Sequence, residues 1–322
     1  MQEIIISQTE YGQRLDKLLL KYFSLASSGF LYKMLRKKNI TLNREKATGK
    51  EILQPGDRIQ IYFSEETFDK FRKPPQDVSN AKGELSVIYE DEHILLINKP
   101  VGMLSQKAEP SDVSAVEEIT AYLLNSGQLS EESLSTFRPG ICNRLDRNTS
   151  GILVAGKTLI GLQTMNQAFA DRTLHKYYLC PVQGILEKPM KLDGYLEKDE
   201  TGNKVQIQKE SGENRTYVRT NFRPIEKGKD ATLLEVELIT GKSHQIRAHL
   251  ATISHPIFGD FKYGNPTLNE QLKNRFGLKH QLLHAYKLEF PKLSGPLTYL
   301  SGKSFTAPLP KKFEQIWESY KA

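Results

Sequence analysis

The chain has 322 residues, with 45 Lys and Arg against 38 Asp and Glu, a formal net charge of +7. At roughly 150 residues per domain this length suggests about two domains, and no run approaches the ~18–20 consecutive apolar residues of a membrane helix. The N-terminal Met-Gln-Glu-Ile-Ile-Ile shows no secretory pattern, and the two cysteines, Cys142 and Cys180, make neither a disulfide framework nor a four-thiolate zinc site. Membrane, disulfide-rich secreted and disordered classes are excluded, leaving the expectation of a soluble, cytoplasmic, mildly basic protein.

Residues 1–63 carry 11 Lys and Arg against 6 Asp and Glu, so most of the excess charge sits in about a fifth of the chain. Leu31, Met34 and Leu35 follow helical spacing, and Arg36-Lys37-Lys38 lies at that helix's end. Ile40 and Leu42 alternate with polar residues as in a short strand. The turn Gln54-Pro55-Gly56-Asp57 and the alternating Ile59, Ile61 and Phe63 close the unit. A basic run at a helix end complements the helix dipole; in a small module with excess positive charge it also reads as a phosphate-facing surface. Residues 64–84, with Pro74-Pro75, Ser79, Asn80, Gly83 and few apolar positions, read as a linker. From Leu85 the pattern becomes dense. Leu85, Val87 and Tyr89 alternate, Ile94-Leu95-Leu96-Ile97 reads as a buried strand, and Ile152–Ala155 is a strand followed by a helix over Leu159 to Phe169. Strands follow at about Lys176 to Val182 and Leu233 to Leu238, then a helix from about Ser243 to Thr252. This order predicts an α+β fold with a mixed, mostly antiparallel sheet over residues 85–322.

Three segments carry candidate chemistry. In Arg144-Leu145-Asp146-Arg147-Asn148-Thr149-Ser150-Gly151 one carboxylate stands between two arginines before a buried strand, an arrangement that favours its charged form; a structural ion-pair turn is the plain alternative. Arg-Leu-Asp also occurs at residues 14–16, where it precedes an amphipathic helix and reads as a surface ion pair, so context decides. In Thr240 to Leu250, Gly241 ends a strand, Ser243 is placed to cap the next helix, and Arg247 lies about one turn into it, able to reach a carboxylate bidentately. In Lys176-Tyr177-Tyr178-Leu179, strand alternation sends the two rings to opposite faces.

Together these segments resemble the catalytic domain of the RluA-type pseudouridine synthases, from about Leu85 to Leu309. The resemblance is carried in order by Asn98-Lys99-Pro100, Arg144 to Gly151, His175-Lys176-Tyr177-Tyr178, Gly241 to Leu250, Pro256 to Asp260, and Leu283-His284-Ala285. Asn143 stands where a His is common, and Lys242-Ser243 where Arg-Thr is usual. Residues 1–63 resemble the small α/β RNA-binding module named after ribosomal protein S-four, through Arg14-Leu15-Asp16, Ile40 to Asn43 and Leu53 to Asp57; Ser28-Gly29 replaces the usual Ser-Arg. The resemblance implies an enzyme that isomerises uridine to pseudouridine in RNA without cofactor or metal. It implies Asp146 as the catalytic carboxylate, either attacking the anomeric carbon or helping to form a glycal. Arg247 would be its partner, Tyr177 the ring stacked on uracil and a candidate to remove the proton at carbon five, and Arg144 the residue filling the space of the flipped base. Arg36, Lys37 and Lys38 would contact phosphates. The implied partner is RNA, large-subunit ribosomal RNA first and transfer RNA as the alternative, with neither DNA nor membrane; a monomer is the default.

Two rival classes remain. A metal hydrolase would use His280 and His284, spaced as on a zinc helix, but no Glu follows His280, and His244 and His249 fall on poorly matched helix faces. A non-catalytic RNA-binding assembly factor would tolerate erosion of Asp146, Tyr177 and Arg247, all of which are present.

Overall fold

The computed structural model describes residues 1–72, 78, 80–199 and 204–321. The N-terminal unit begins with β1 (Gln2–Ile5), α1 (Leu15–Tyr22) and α2 (Ser28–Arg36), followed by β2 (Ile40–Leu42), β3 (Glu45–Lys46) and β4 (Arg58–Ile61). Its strands pair in the order β1-β4-β2-β3, all antiparallel. Leu15, Leu18 and Leu19 of α1 and Leu31 and Leu35 of α2 bury against Ile40, Ile59 and Ile61, the helical and strand periodicities meeting in one core.

The expected linker over 64–84 is corrected at its start. Residues Glu65–Phe71 form a helix, α3, capped by the Ser64 hydroxyl, which accepts from the Thr67 N–H. Phe68 is buried, and its ring meets Phe23 and Tyr22 edge-on at 5.5 and 6.0 Å. Arg72 lies over Tyr22 at 4.9 Å. Only Phe68 and Phe71 mark this helix in the sequence; its order comes from the aromatic cluster it meets. Pro74, Pro75 and Ser79 lie outside the described residues.

Beyond it come β5 (Val87–Glu90), β6 (Ile94–Lys99), α4 (Ala115–Asn125), β7 (Gly140–Ile141), β8 (Ser150–Gly156) and α5 (Leu159–Ala170). Then follow β9 (His175–Gln183), β10 (Met190–Lys198), β11 (Val205–Gln208), β12 (Thr216–Gly228), β13 (Ala231–Leu238), α6 (Gln245–Thr252), α7 (Pro266–Phe276), β14 (His284–Glu289), β15 (Ser304–Thr306) and α8 (Lys311–Glu318). Among the described residues the main sheet runs β11-β10-β12-β13-β9-β14-β8-β6-β5, with β7 paired to part of β8 and β15 to part of β14. Only β14 with β8 pairs parallel; the fold is α+β with a mixed, mostly antiparallel sheet.

Both faces of the sheet are covered, which explains the unbroken apolar run in β6. Leu95 and Ile97 face a core with Ile119 and Leu123 of α4 and Ile246 and Leu250 of α6. Ile94 and Leu96 face a second core with Met165 of α5 and Leu288 of β14. The N-terminal unit rests on this domain: the Leu159 N–H donates to the Thr9 carbonyl at 2.9 Å, and the Thr136 hydroxyl to Glu10 Oε1 at 2.5 Å.

The loop bearing Asp146 leaves β7 and returns into β8, where Gly151 has φ 110°. A Cβ there would lie 2.1 Å from the Ala285 carbonyl oxygen of β14, so the parallel β8–β14 contact requires glycine at that point. Gly151→Ala is expected to lower unfolding stability by at least ~2 kcal/mol, measured by denaturant titration.

Candidate active site

Asp146 sits at the edge of a cavity of about 830 Å³ that Arg144, Tyr178, His244 and Arg247 also line. Its loop is held from beneath. Lys99, at the end of β6, is wholly buried, and its ammonium donates to the carbonyls of Pro100, Met103 and Arg147 at 3.0, 2.8 and 3.1 Å. All three ammonium hydrogens thus have acceptors, which offsets the cost of burying the charge. Burial brings Lys99 down to about 8, and the Asp146 charge opposes that shift. The Ser105 hydroxyl donates to the Leu145 carbonyl at 2.7 Å and accepts the Leu145 N–H at 3.0 Å. The residue beside Asp146 is therefore fixed at both its backbone polar groups.

Arg247, in the first turn of α6, is buried and serves two carboxylates. Its Nε and Nη2 donate to Asp260 Oδ2 and Oδ1 at 2.7 and 2.9 Å, and Nη1 reaches Asp146 Oδ2 at 3.4 Å. Asp260 Oδ1 also accepts from the N–H groups of Lys262 and Tyr263 at 3.0 and 3.1 Å. Burial works against both charges. The Arg247 fork outweighs it and keeps Asp260 below the usual carboxylate range, while Asp260 and then Asp146 raise Arg247. A buried ion pair persists when its hydrogen bonds are this complete. The Arg247 guanidinium also lies over the Tyr263 ring at 5.0 Å.

Asp146 and Arg247 are thus brought together, as the sequence suggests, but Tyr177 is not brought to them. In β9 Tyr177 faces the opposite side of the sheet. Its hydroxyl donates to Glu289 Oε2 at 3.2 Å, and the Lys287 ammonium lies 4.1 Å over its ring. Burial, followed by Glu237 and Glu289, pushes it up to about 12. The ring at the Asp146 cavity is its neighbour Tyr178, which packs in the core with Leu145, Val236 and Ile246. Burial, and then the Asp146 charge, pushes the Tyr178 hydroxyl upward. The two rings do alternate across the strand; the choice between them is reversed, because Tyr178 shares its face with Cys180 and Val182 while Leu179 packs in a different core.

Arg144 is exposed on the cavity wall and makes no ion pair among the described residues. Lys107, Arg147, Arg172, Lys176 and Lys242 line the same cavity. Burial, and then Arg172, lowers Lys176. Arg36, Lys37 and Lys38 are exposed at the end of α2, on the N-terminal unit. The tripeptide at 14–16 forms its ion pair: Arg14 Nη2 meets Asp16 Oδ2 at 2.8 Å, with the Tyr32 hydroxyl donating to the same oxygen.

Two further expectations change. Ser243 does not cap α6; the N-cap is His244, in the left-handed region at φ 58°. His280 and His284 share no helix, since His284 opens β14, accepts the Ser150 hydroxyl at Nδ1 and donates from Nε2 to the Ala307 carbonyl. His249 is buried in α6, its Nδ1 bonded to the Thr220 hydroxyl at 2.8 Å. The sequence alone assigns no role to Asp260, Lys99 or His244. Asp260 lies in the Pro256 to Asp260 segment and Lys99 in Asn98-Lys99-Pro100, so the signal there is a motif match without a partner.

The RNA pseudouridylate synthase family model matches residues 93–252. An uncharacterised RNA pseudouridine synthase of Mycoplasma genitalium is 30% identical over 321 residues, covering 98% of each chain. A ribosomal large subunit pseudouridine synthase C of Vibrio cholerae is 29% identical over 294 residues, covering 90% of this chain and 89% of the relative. Among solved structures, the human RNA pseudouridylate synthase domain containing 4 superposes with a TM-score of 0.58 at 18% identity, covering 75% of this chain and 93% of that one; this likeness concerns the fold.

Burial lowers both His249 and His284 to about 4, so each is neutral in the folded protein and takes up a proton on unfolding below about 6.5. Stability is therefore full above pH 6.5 and is lost as pH falls from there towards 4. His249→Asn, which keeps a polar partner for Thr220, should shorten that acid decline in denaturant melts taken at each pH.

Proposed function

Because the chain belongs to the RNA pseudouridylate synthase family, enzymes that isomerise uridine to pseudouridine in RNA, we propose that Asp146 is its catalytic carboxylate and large-subunit ribosomal RNA its substrate. The observation that carries the site reading is the Arg247 guanidinium bridging Asp260 and Asp146 at the cavity edge. Arg247 contacts Oδ2, and among the described residues no hydrogen bond is made to Oδ1. Oδ1 is therefore the oxygen available to the sugar.

The reaction breaks the bond from the anomeric carbon to a uracil nitrogen, turns the base, joins it through carbon five and releases the proton there. Atoms balance within the nucleotide, so the site must supply charge, orientation and a proton path. Asp146 Oδ1 either attacks the anomeric carbon or removes the neighbouring sugar proton. Arg247, held rigid by Asp260, orients the carboxylate through the steps. Tyr178, not Tyr177, packs against the uracil ring as it turns; with its hydroxyl raised by burial it is a poor proton acceptor.

A uridine stacked in a helix cannot reach this cavity, so the base is flipped at a cost of a few kcal/mol. A volume of about 830 Å³ suits a nucleotide. Arg144, exposed two residues from Asp146, fills the vacated stack. The cations of the cavity wall and the exposed Arg36, Lys37 and Lys38 hold the backbone. On this reading residues 1–72 are the S-four-like RNA-binding module, α3 included, and the enzyme works in the cytoplasm as a monomer.

The ribosomal substrate is supported by relatives named for the large subunit, including the C-type enzyme of Vibrio cholerae. Mapping pseudouridines in cells with and without this protein tests it: loss of a large-subunit site is expected, and loss confined to transfer RNA overturns the assignment. Asp146→Asn should lower turnover by at least ~10³-fold while retaining RNA binding; a non-catalytic RNA-binding factor would be unaffected. Replacing Arg36, Lys37 and Lys38 with Ala should reduce the slope of log affinity against log salt by about 0.7–0.9 for each phosphate that is no longer neutralised; an unchanged slope removes the module's helix end from the interface.

A further inference from the structure

His244 stands where β13, α6 and the cavity meet. Its backbone, at φ 58°, is in a region that His enters more readily than most side chains but that is uncommon for any residue other than glycine. That turn carries the imidazole to Asp146. Nε2 lies 3.7 Å from Asp146 Oδ2, and Nδ1 lies 3.0 Å from the Tyr263 hydroxyl, with the two rings edge to face at 5.6 Å.

The two neighbours of the ring, Tyr263 and Asp146, favour one placement of its proton. The Tyr263 hydroxyl already accepts the Val205 N–H at 2.8 Å. Its oxygen could accept a second N–H, so the carboxylate decides: Asp146 Oδ2, facing Nε2, calls for a donor there, which leaves Nδ1 to accept the Tyr263 hydrogen. Nδ1 therefore accepts, and the neutral ring carries its proton on Nε2, facing the carboxylate. The opposite tautomer would point a lone pair at Asp146. Burial is the largest influence holding the ring neutral; Arg247 and Lys262 act with it, while Asp146 and Asp260 oppose it.

We propose that His244 is a positioning residue for Asp146: locked by Tyr263 as the Nε2–H tautomer, it gives Oδ2 a second donor beside Arg247 and leaves Oδ1 aimed into the cavity. This rests on Asp146 being the catalytic carboxylate. The contact at 3.4 Å from Arg247 orients the carboxylate from one side; a donor from a second direction narrows its remaining rotation about the Cβ–Cγ bond. The proposal requires the 3.7 Å separation to close to a hydrogen bond in the substrate complex, as catalytic contacts commonly do.

The test uses full-length protein and tritium release from total RNA of cells lacking it, with uridines labelled at carbon five. His244→Ala should lower kcat by about 10²-fold, as a misplaced reacting group does, with KM changed by less than about threefold. His244→Gln, which presents an amide N–H near the position of Nε2, should recover most of kcat. Tyr263→Phe should cost about tenfold in the wild-type background and little in His244→Gln, where no tautomer needs fixing. The proposal is overturned if His244→Ala keeps wild-type kcat, or if His244→Gln is as slow as His244→Ala while retaining the wild-type circular dichroism. Activity surviving in Asp146→Asn would instead remove the reading of Asp146 itself, whatever the His244 variants do.

Discussion

One guanidinium shared between two carboxylates organises this protein. Arg247 is committed to Asp260 through two hydrogen bonds in the interior, and only its remaining nitrogen is directed to Asp146. The division of labour follows from exposure. The Asp260 side chain is 1% exposed and acts as a structural counter-ion, whereas Asp146 is 29% exposed and faces the cavity. Because Arg247 is already neutralised and fixed from behind, it orients Asp146 without having to be ordered by it.

The rest of the fold delivers these groups to one point. The sheet supplies β6, whose last residue Lys99 holds the Asp146 loop by three carbonyls, and β8, into which that loop returns. The close parallel pairing of β8 with β14 fixes where the loop ends, and it admits only glycine at position 151. On the far side of the cavity, the left-handed residue His244 starts α6 and sets Arg247 three residues later. Lys99, Arg247 and Asp260 are all buried charges, and each is satisfied by named partners. The interior of this domain is arranged to hold one side chain at its edge.

Much of this is legible in the sequence, for physical reasons. Ile94 to Ile97 and Ile152 to Ala155 form unbroken apolar runs because both sheet faces are covered, so β6 and β8 are readable without an alternating pattern. The Asp146 segment stands apart from the same tripeptide at 14–16 because a buried strand, not an amphipathic helix, follows it. What cannot be read is the choice between alternatives one residue apart. Tyr177 and Tyr178 differ only in which sheet face they meet, and strand register against β13 and β14 decides that. Asp260 is similarly hidden, since its role depends on Arg247, which becomes its neighbour only when the turn after α6 folds back. Helix α3 escapes because Glu65 to Phe71 is mostly charged, and its two phenylalanines gain their meaning only from Tyr22, Phe23 and Phe30.

The shared guanidinium is tested most directly by Arg247→Lys, assayed for turnover alongside thermal unfolding. A lysine keeps the charge but has a single nitrogen centre, which cannot grip Asp260 in a planar fork and still reach Asp146. The account predicts a folded protein whose kcat falls by about 10²-fold or more. A folded Arg247→Lys enzyme with wild-type kcat would contradict it, since Asp146 would then need no more than a nearby positive charge.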